Sequence, residues 1–268
     1  MDDAGMQSWI WPLPEGGASN DQAALDTRWQ VLLGRGGWQA EVLGQVGDDA
    51  LRLYVRPSAA AAAPRLLIAA GFHGEEPAGP WGVLQFFERA DAGLLDRLQL
   101  TVLPLVNASG FRAGRRFNDW GENPNRGHGA SADAPPSREG RVLAAHGARL
   151  AALGASGVLS CHEDVKQPQH GYVYSLERAE RPGAFSHALL AANARFFPLL
   201  PDGDVDGCHV RGGIVFNRYD GSFEAWMMEQ GVGRAACVET PGRAPIGERI
   251  AAQAAMVEAF VRHPLDGA

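Results

Sequence analysis

Two registers of apolar residues run along the chain. Short apolar blocks at 66–70, 98–106, 157–161, 171–176 and 234–238 predict buried strands. Segments 38–46 and 50–55 predict a strand pair turned at Gly47-Asp48-Asp49. Helical spacing marks 22–33, about 78–90, 138–153, 183–197, 222–230 and Ile246–Arg262. Punctuation supports these boundaries: Asn20 or Asp21 as a cap, Gly34 and Gly36 as stops, Pro198 and Pro201 after the fourth helix, and Gly231 after the fifth. The alanines at 59–63 are a connector, because strand material resumes at once. Residues 1–20 are irregular, with Trp9 and Trp11 as anchors. Segments 107–140 and 198–213 are loops, and the end of the first, GHGASADAPPS, is expected to be a mobile rim. Strands and helices interleave. The expected fold is therefore α/β: a single-domain mixed, largely parallel twisted sheet with helices on both faces. It spans 1–268, with 1–37 as an N-terminal extension carrying one helix and 38–262 as the core.

Polar residues that follow directly on apolar strands carry the candidate chemistry. His73 and Glu76, Asn107, His162 and Glu239 all stand there. In open α/β sheets ligands gather at the carboxyl ends of strands. The stretch LLIAAGFHGEEPAG places His73 and Glu76 three residues apart on a loop, with Pro77 suited to a first helical turn. Imidazole nitrogen and carboxylate oxygen together suit zinc. A lone His-x-x-Glu is more often a surface pair, and a lone His162 more often a core histidine. It is the shared placement that makes these residues a candidate site.

Composition narrows the function. The chain has 268 residues, 46% of them hydrophobic, which is enough for one large core or two small ones. A net charge of −7 argues against nucleic acid as a partner. Three cysteines, Cys161, Cys208 and Cys237, make an odd count, and two lie in apolar strands. A disulfide framework is not expected. The acidic start lacks a signal-peptide core, and no apolar run reaches bilayer length. The expected location is cytoplasmic, with no membrane partner.

Four blocks in order resemble the zinc carboxypeptidase superfamily, over roughly 40–262. They are GFHGEEPAG, RFNDWGENPNR from Arg116 to Arg126, VLSCH ending at His162, and CVETPG around Glu239. In form the chain is similar to the bacterial murein-peptide amidases that cut γ-D-glutamyl–diaminopimelate bonds. The resemblance implies one zinc per chain held by His73, Glu76 and His162. Two histidines and one carboxylate leave a coordination position open, as in catalytic sites. Glu239 is then the general base and acid. Arg116 faces the developing oxyanion, unless it pairs locally with Asp119 or Glu122. Asn125 and Arg126 clamp a substrate carboxylate, and Tyr219 closes on it. Glu224, in the segment after Tyr219, favours a side chain with a free amine. One departure stands out: Asn123 occupies the place of the aspartate that orients the first histidine, and Glu122 is a candidate substitute. The implied substrates are small peptides or acylated amino acids. Two alternatives stay open: an N-acyl amino-acid deacylase like succinylglutamate desuccinylase or aspartoacylase, and an inactive carboxylate-binding module. The oligomeric state is not encoded in any of these patterns.

Overall fold

A computed structural model describes residues 19–265; Trp9 and Trp11 lie outside the described residues. In chain order the elements are α1 (Gln22–Gly34), β1 (Gln39–Val46), β2 (Asp49–Arg56), β3 (Arg65–Ala70), α2 (Ala78–Arg89), α3 (Ala92–Asp96), β4 (Gln99–Leu103) and α4 (Ala108–Ala113). Then follow α5 (Arg138–Ala145), α6 (Gly147–Leu153), β5 (Gly157–Asp164), β6 (Tyr172–Glu177) and α7 (Ala184–Asn193). The chain continues with β7 (Gly203–Val205), β8 (Cys208–Val210), β9 (Ile214–Phe216), α8 (Phe223–Glu229), β10 (Arg234–Pro241) and α9 (Ile246–Arg262).

One sheet holds eight strands in the order β1-β2-β4-β3-β5-β10-β6-β9, and β7–β8 is a separate hairpin. The pairings β3–β4, β3–β5, β5–β10 and β6–β9 are parallel. The pairings β1–β2, β2–β4 and β6–β10 are antiparallel. The fold is thus the mixed, mostly parallel α/β sheet expected. Strand alternation divides the core. Leu66, Ile68 and Ala70 of β3 pack on one face with α1, α2, α7 and α9, whereas Leu67 and Ala69 pack on the other with α5, α6 and α8. Each central strand is therefore apolar on both sides, which is why it reads as an unbroken run.

The differences from the pattern have local causes. The helix expected over 138–153 breaks into α5 and α6 at His146, whose ring Nε2 contacts Leu43 O at 2.9 Å. Segment 107–140 contains α4, capped by Asn107 Oδ1 accepting from Gly110 N. Helix α3 is five residues long, too short to show a period, and is capped by Asp91. Segment 198–213 holds the β7–β8 hairpin. The first part of the expected mobile rim is hydrogen-bonded to α8 and the loop before it. His128 is buried and its N–H donates to Gly221 O, and the amides of Ala130 and Ser131 donate to the Glu229 carboxylate. Strands β5 and β10 run on to Asp164 and Pro241, so His162 and Glu239 sit inside paired strand and not beyond it. All three cysteines are free and buried. Among the described residues no helix is long and apolar enough to cross a membrane.

The loop after β3 needs glycine twice. Gly71 turns with φ 70°, a left-handed conformation that costs glycine least. At Gly74 an added Cβ would lie 1.9 Å from the Gly110 carbonyl carbon, a backbone atom of α4. Gly74→Ala is expected to destabilise by ~1–3 kcal/mol or more through overpacking, read as a lower urea midpoint. An unchanged midpoint would mean that α4 does not confine this loop.

Candidate metal centre and substrate cavity

The loop between β3 and α2 is held at several points before any ligand is considered. Asn107, fully buried, receives Phe111 N at its carbonyl and donates its own N–H to Gly71 O at 2.8 Å. Its side-chain Nδ2 donates to Phe72 O and Arg116 O, both at 3.2 Å. Asn20 Nδ2 donates to Gly74 O at 2.6 Å and to Phe111 O at 2.8 Å. This strand-end asparagine is therefore scaffold, and it fixes the loop that carries His73 and Glu76.

His73, Glu76 and His162 meet at the ends of β3 and β5, all buried. His73 Nδ1 lies 2.7 Å from Glu76 Oε1, and His162 Nδ1 lies 2.8 Å from Glu76 Oε2. The Glu163 amide donates to the same Oε2 at 3.2 Å. Burial pushes the Glu76 carboxyl up, but the His73 and His162 imidazoles more than offset this and hold it well below the usual carboxylate range. Burial pushes His73 down. The two rings sit edge to face at 5.0 Å, and Phe72 stacks on His162 at 5.6 Å. His73 Nε2 is 3.0 Å from Asn123 Oδ1, which leaves Nδ1 as the inward nitrogen. Glu122 does not take that place; it binds Arg138 at 2.6 Å.

One ligand atom from each of the three side chains lies within 4.8 Å of the others. Two inward nitrogens and a buried carboxylate form a donor set that fits zinc. A second trio, His162, Cys237 and Glu239, also meets this spacing, but Cys237 Sγ already donates to Glu239 Oε1 at 3.5 Å.

The trio opens into a cavity of about 330 Å³. Glu239 lies opposite His162 in the β5–β10 register and on the same face. Its Oε2 is buried without a partner. Burial, followed by the negative charge of Glu76, pushes its carboxyl well up. Arg116 Nη1 reaches Glu76 at 3.3 Å and Glu75 at 3.6 Å, in place of Asp119 or Glu122. Those two acids bind Arg115 and Arg138 instead. Asn125 lines the cavity but already has partners. Its Oδ1 accepts from Phe223 N at 2.8 Å, and its Nδ2 faces His162 Nε2 at 3.3 Å. Arg126 also lines the cavity, with Nη2 3.2 Å from Asp220. Glu224 lines it too, buried, with Oε2 unpartnered and its carboxyl pushed up by burial. Tyr219 is 42% exposed and is not among the lining residues, whereas its neighbours Arg218 and Asp220 are.

Several wall residues escaped the sequence analysis. Cys237 stands two before Glu239 on one strand, so the period-two alternation places both on one face and could have found it. Tyr172 and Tyr174 of β6 line the cavity by the same alternation. Arg218, Lys166 and Asp206 come from loops and carry no local signal.

A profile of the succinylglutamate desuccinylase/aspartoacylase catalytic domain matches residues 62–186. A Shewanella amazonensis protein, provisionally described as a metallopeptidase, is 44% identical; the match covers 91% of this chain and 94% of that one, with a TM-score of 0.87. A similarly described protein of Shewanella denitrificans is 43% identical over 91% of each chain, with a TM-score of 0.86. The metallo-carboxypeptidase of Burkholderia cenocepacia shares the fold at 19% identity, covering 92% of this chain and 70% of that one, with a TM-score of 0.68. A search among curated proteins finds no match.

Elemental analysis is expected to find about one zinc per chain, lost in both His73→Ala and His162→Ala, because removing either nitrogen leaves an incomplete donor set. Retention of the metal in either variant would show that the two strand ends do not share one ion.

Proposed function

The chain belongs to the zinc carboxypeptidase-like superfamily, and from that premise we propose that it hydrolyses an amide bond next to a carboxylate-bearing amino acid. The observation that carries this reading is the unpartnered Glu239 Oε2, which shares a cavity with the His73–Glu76–His162 trio. When bound, zinc supplies Lewis acidity toward a carbonyl oxygen and lowers the pKa of water. Burial raises the Glu239 carboxyl, and a cation held by the trio would lower it again, leaving the unpartnered Oε2 to take a proton from a water and return it to the leaving nitrogen. Arg116, partly exposed beside Glu75 and Glu76, is the cation assigned to the negative charge that grows on the carbonyl oxygen. Arg126 offers a planar fork to the substrate's carboxylate, with Asp220 steadying it from behind. Asn125 supports this wall through Phe223, and Tyr219 joins the site only if its loop turns inward.

Glu224 refines the substrate. A buried carboxylate without a partner is costly. An amine on the substrate side chain would satisfy it, as in lysine or diaminopimelate. That preference favours a murein-peptide amidase acting inside the cell. A second reading, an N-acyl amino-acid deacylase, is supported by the profile match over 62–186.

Turnover of γ-glutamyl–diaminopimelate peptides is expected to exceed that of N-succinyl and N-acetyl amino acids; the reverse order would favour the deacylase. Glu239→Gln is expected to lower kcat by ~100-fold or more while zinc content stays at the wild-type level. Unchanged turnover would remove Glu239 from proton transfer. Glu224→Gln is expected to reduce the preference for amine-bearing leaving groups by ~10- to 100-fold in kcat/KM, the worth of one charged hydrogen bond. An unchanged preference would sink the assignment.

A further inference from the structure

Directly behind the metal trio, on the opposite face of the sheet, lies a second carboxylate that the proposed chemistry does not use. The β5–β10 register pairs His162 with Glu239 and then Glu163 with Thr240. Because side chains alternate, His162 and Glu239 face the cavity while Glu163 and Thr240 face α2 and α9. The Glu163 side chain has no exposure.

Three segments converge on it: the start of α2, β10 and α9. Its Oε1 accepts from Ala78 N at 2.7 Å, at the start of α2 and two residues past Glu76. Its Oε2 accepts from Thr240 Oγ1 at 3.4 Å, next to Glu239, and from Arg249 of α9. Its own backbone N–H donates to Glu76 Oε2 at 3.2 Å. One turn along α9, Gln253 Nε2 donates to His162 O at 2.6 Å and to Thr240 Oγ1 at 3.2 Å. A carboxylate at the N-terminus of a twelve-residue helix is favoured by the helix dipole. Arg249 supplies the compensating charge that burial demands.

We propose that Glu163, with Arg249 and Gln253, is a positioning unit that holds the segments bearing His73, Glu76, His162 and Glu239 in register, so that the C-terminal helix sets how tightly the centre binds its ion. This rests on the reading of the trio as a zinc site. A buried ion pair is weak evidence for stability, and stability is not the role assigned. The unit joins the β3–α2 loop, β5 and β10 through one anion, and small displacements of ligands change metal affinity. A glutamine at 163 keeps an oxygen for Ala78 N but turns an amide N–H toward the Arg249 and Thr240 donors. Arg249→Gln instead keeps Glu163 on Ala78 and removes the α9 anchor.

The test is competition of zinc against a chromophoric chelator, together with the absorption spectrum of the cobalt-substituted protein. It uses wild type, Glu163→Gln, Arg249→Gln, and Glu88→Gln as control. Glu88 sits at the far end of α2 and binds Arg28, so its loss disturbs stability away from the site. Glu163→Gln is expected to weaken zinc binding by ~10- to 100-fold and to shift the cobalt spectrum, with Glu88→Gln unchanged in both. Should Glu163→Gln fail to fold, Arg249→Gln is expected to move both readouts in the same direction. Wild-type affinity and spectrum in both site variants, or a loss no greater than in Glu88→Gln, would overturn the inference while leaving the metal site standing. A wild-type protein that takes up no zinc would overturn both.

Discussion

A carboxylate taken out of water costs several kcal/mol unless it is paired and hydrogen-bonded. Glu76 meets that condition with two imidazoles, one backbone amide and the flank of Arg116. No single stretch of chain could provide all four. His73 comes from the same loop, His162 and the Glu163 amide from β5, and Arg116 from beyond α4. The convergence on Glu76 therefore requires the parallel core of the sheet to be assembled with its carboxyl ends aligned. It also requires the β3–α2 loop to be rigid, and the glycines and asparagines around that loop provide the rigidity.

The topology explains why these ends meet. Strands β3, β5 and β10 are neighbours in the sheet although long segments separate them in sequence. Each enters from the same edge and ends at the same edge. Alternation then gives each strand end two functions. One face carries the polar groups of the cavity, and the other carries the groups that fix those strands to α2 and α9. Aromatic packing completes the cavity side. Phe72 stacks on His162, and Phe223 lies 5.2 Å from Phe72. Phe72 thus covers one face of the His162 ring.

The cavity is lined by charges of both signs. Arg116 and Arg126 lie within reach of acids, so neither guanidinium is uncompensated before a substrate arrives. Glu224 and Glu239 each keep one buried oxygen without a partner. Such atoms are rare in folded proteins because they cost stability. Two of them lie in one cavity beside a metal-type donor set, which is the observation behind the proposed reaction.

The order of chemistry along the chain was determined by sequence alone. Apolar blocks marked the central strands, and polar residues at or near their carboxyl ends marked His73, Glu76, His162 and Glu239 as candidates, together with Asn107, which the structure makes scaffold. Those signals are local: a strand buried on both faces must be continuously apolar, and its ligand-bearing end must break that run. Helix Ile246–Arg262 was equally legible, since seventeen residues give several turns of period. Helices α3 and α4 were not, because five and six residues hold too little period to register. The partners of the charged side chains were decided only by tertiary structure. Arg116 turned to Glu75 and Glu76 instead of its local acids, Glu163 met Arg249 from 86 residues away, Asn125 was taken up by Phe223, and Tyr219 was left outside the cavity. A long polar side chain can reach many partners, and which one it finds depends on the distant segments that folding brings beside it.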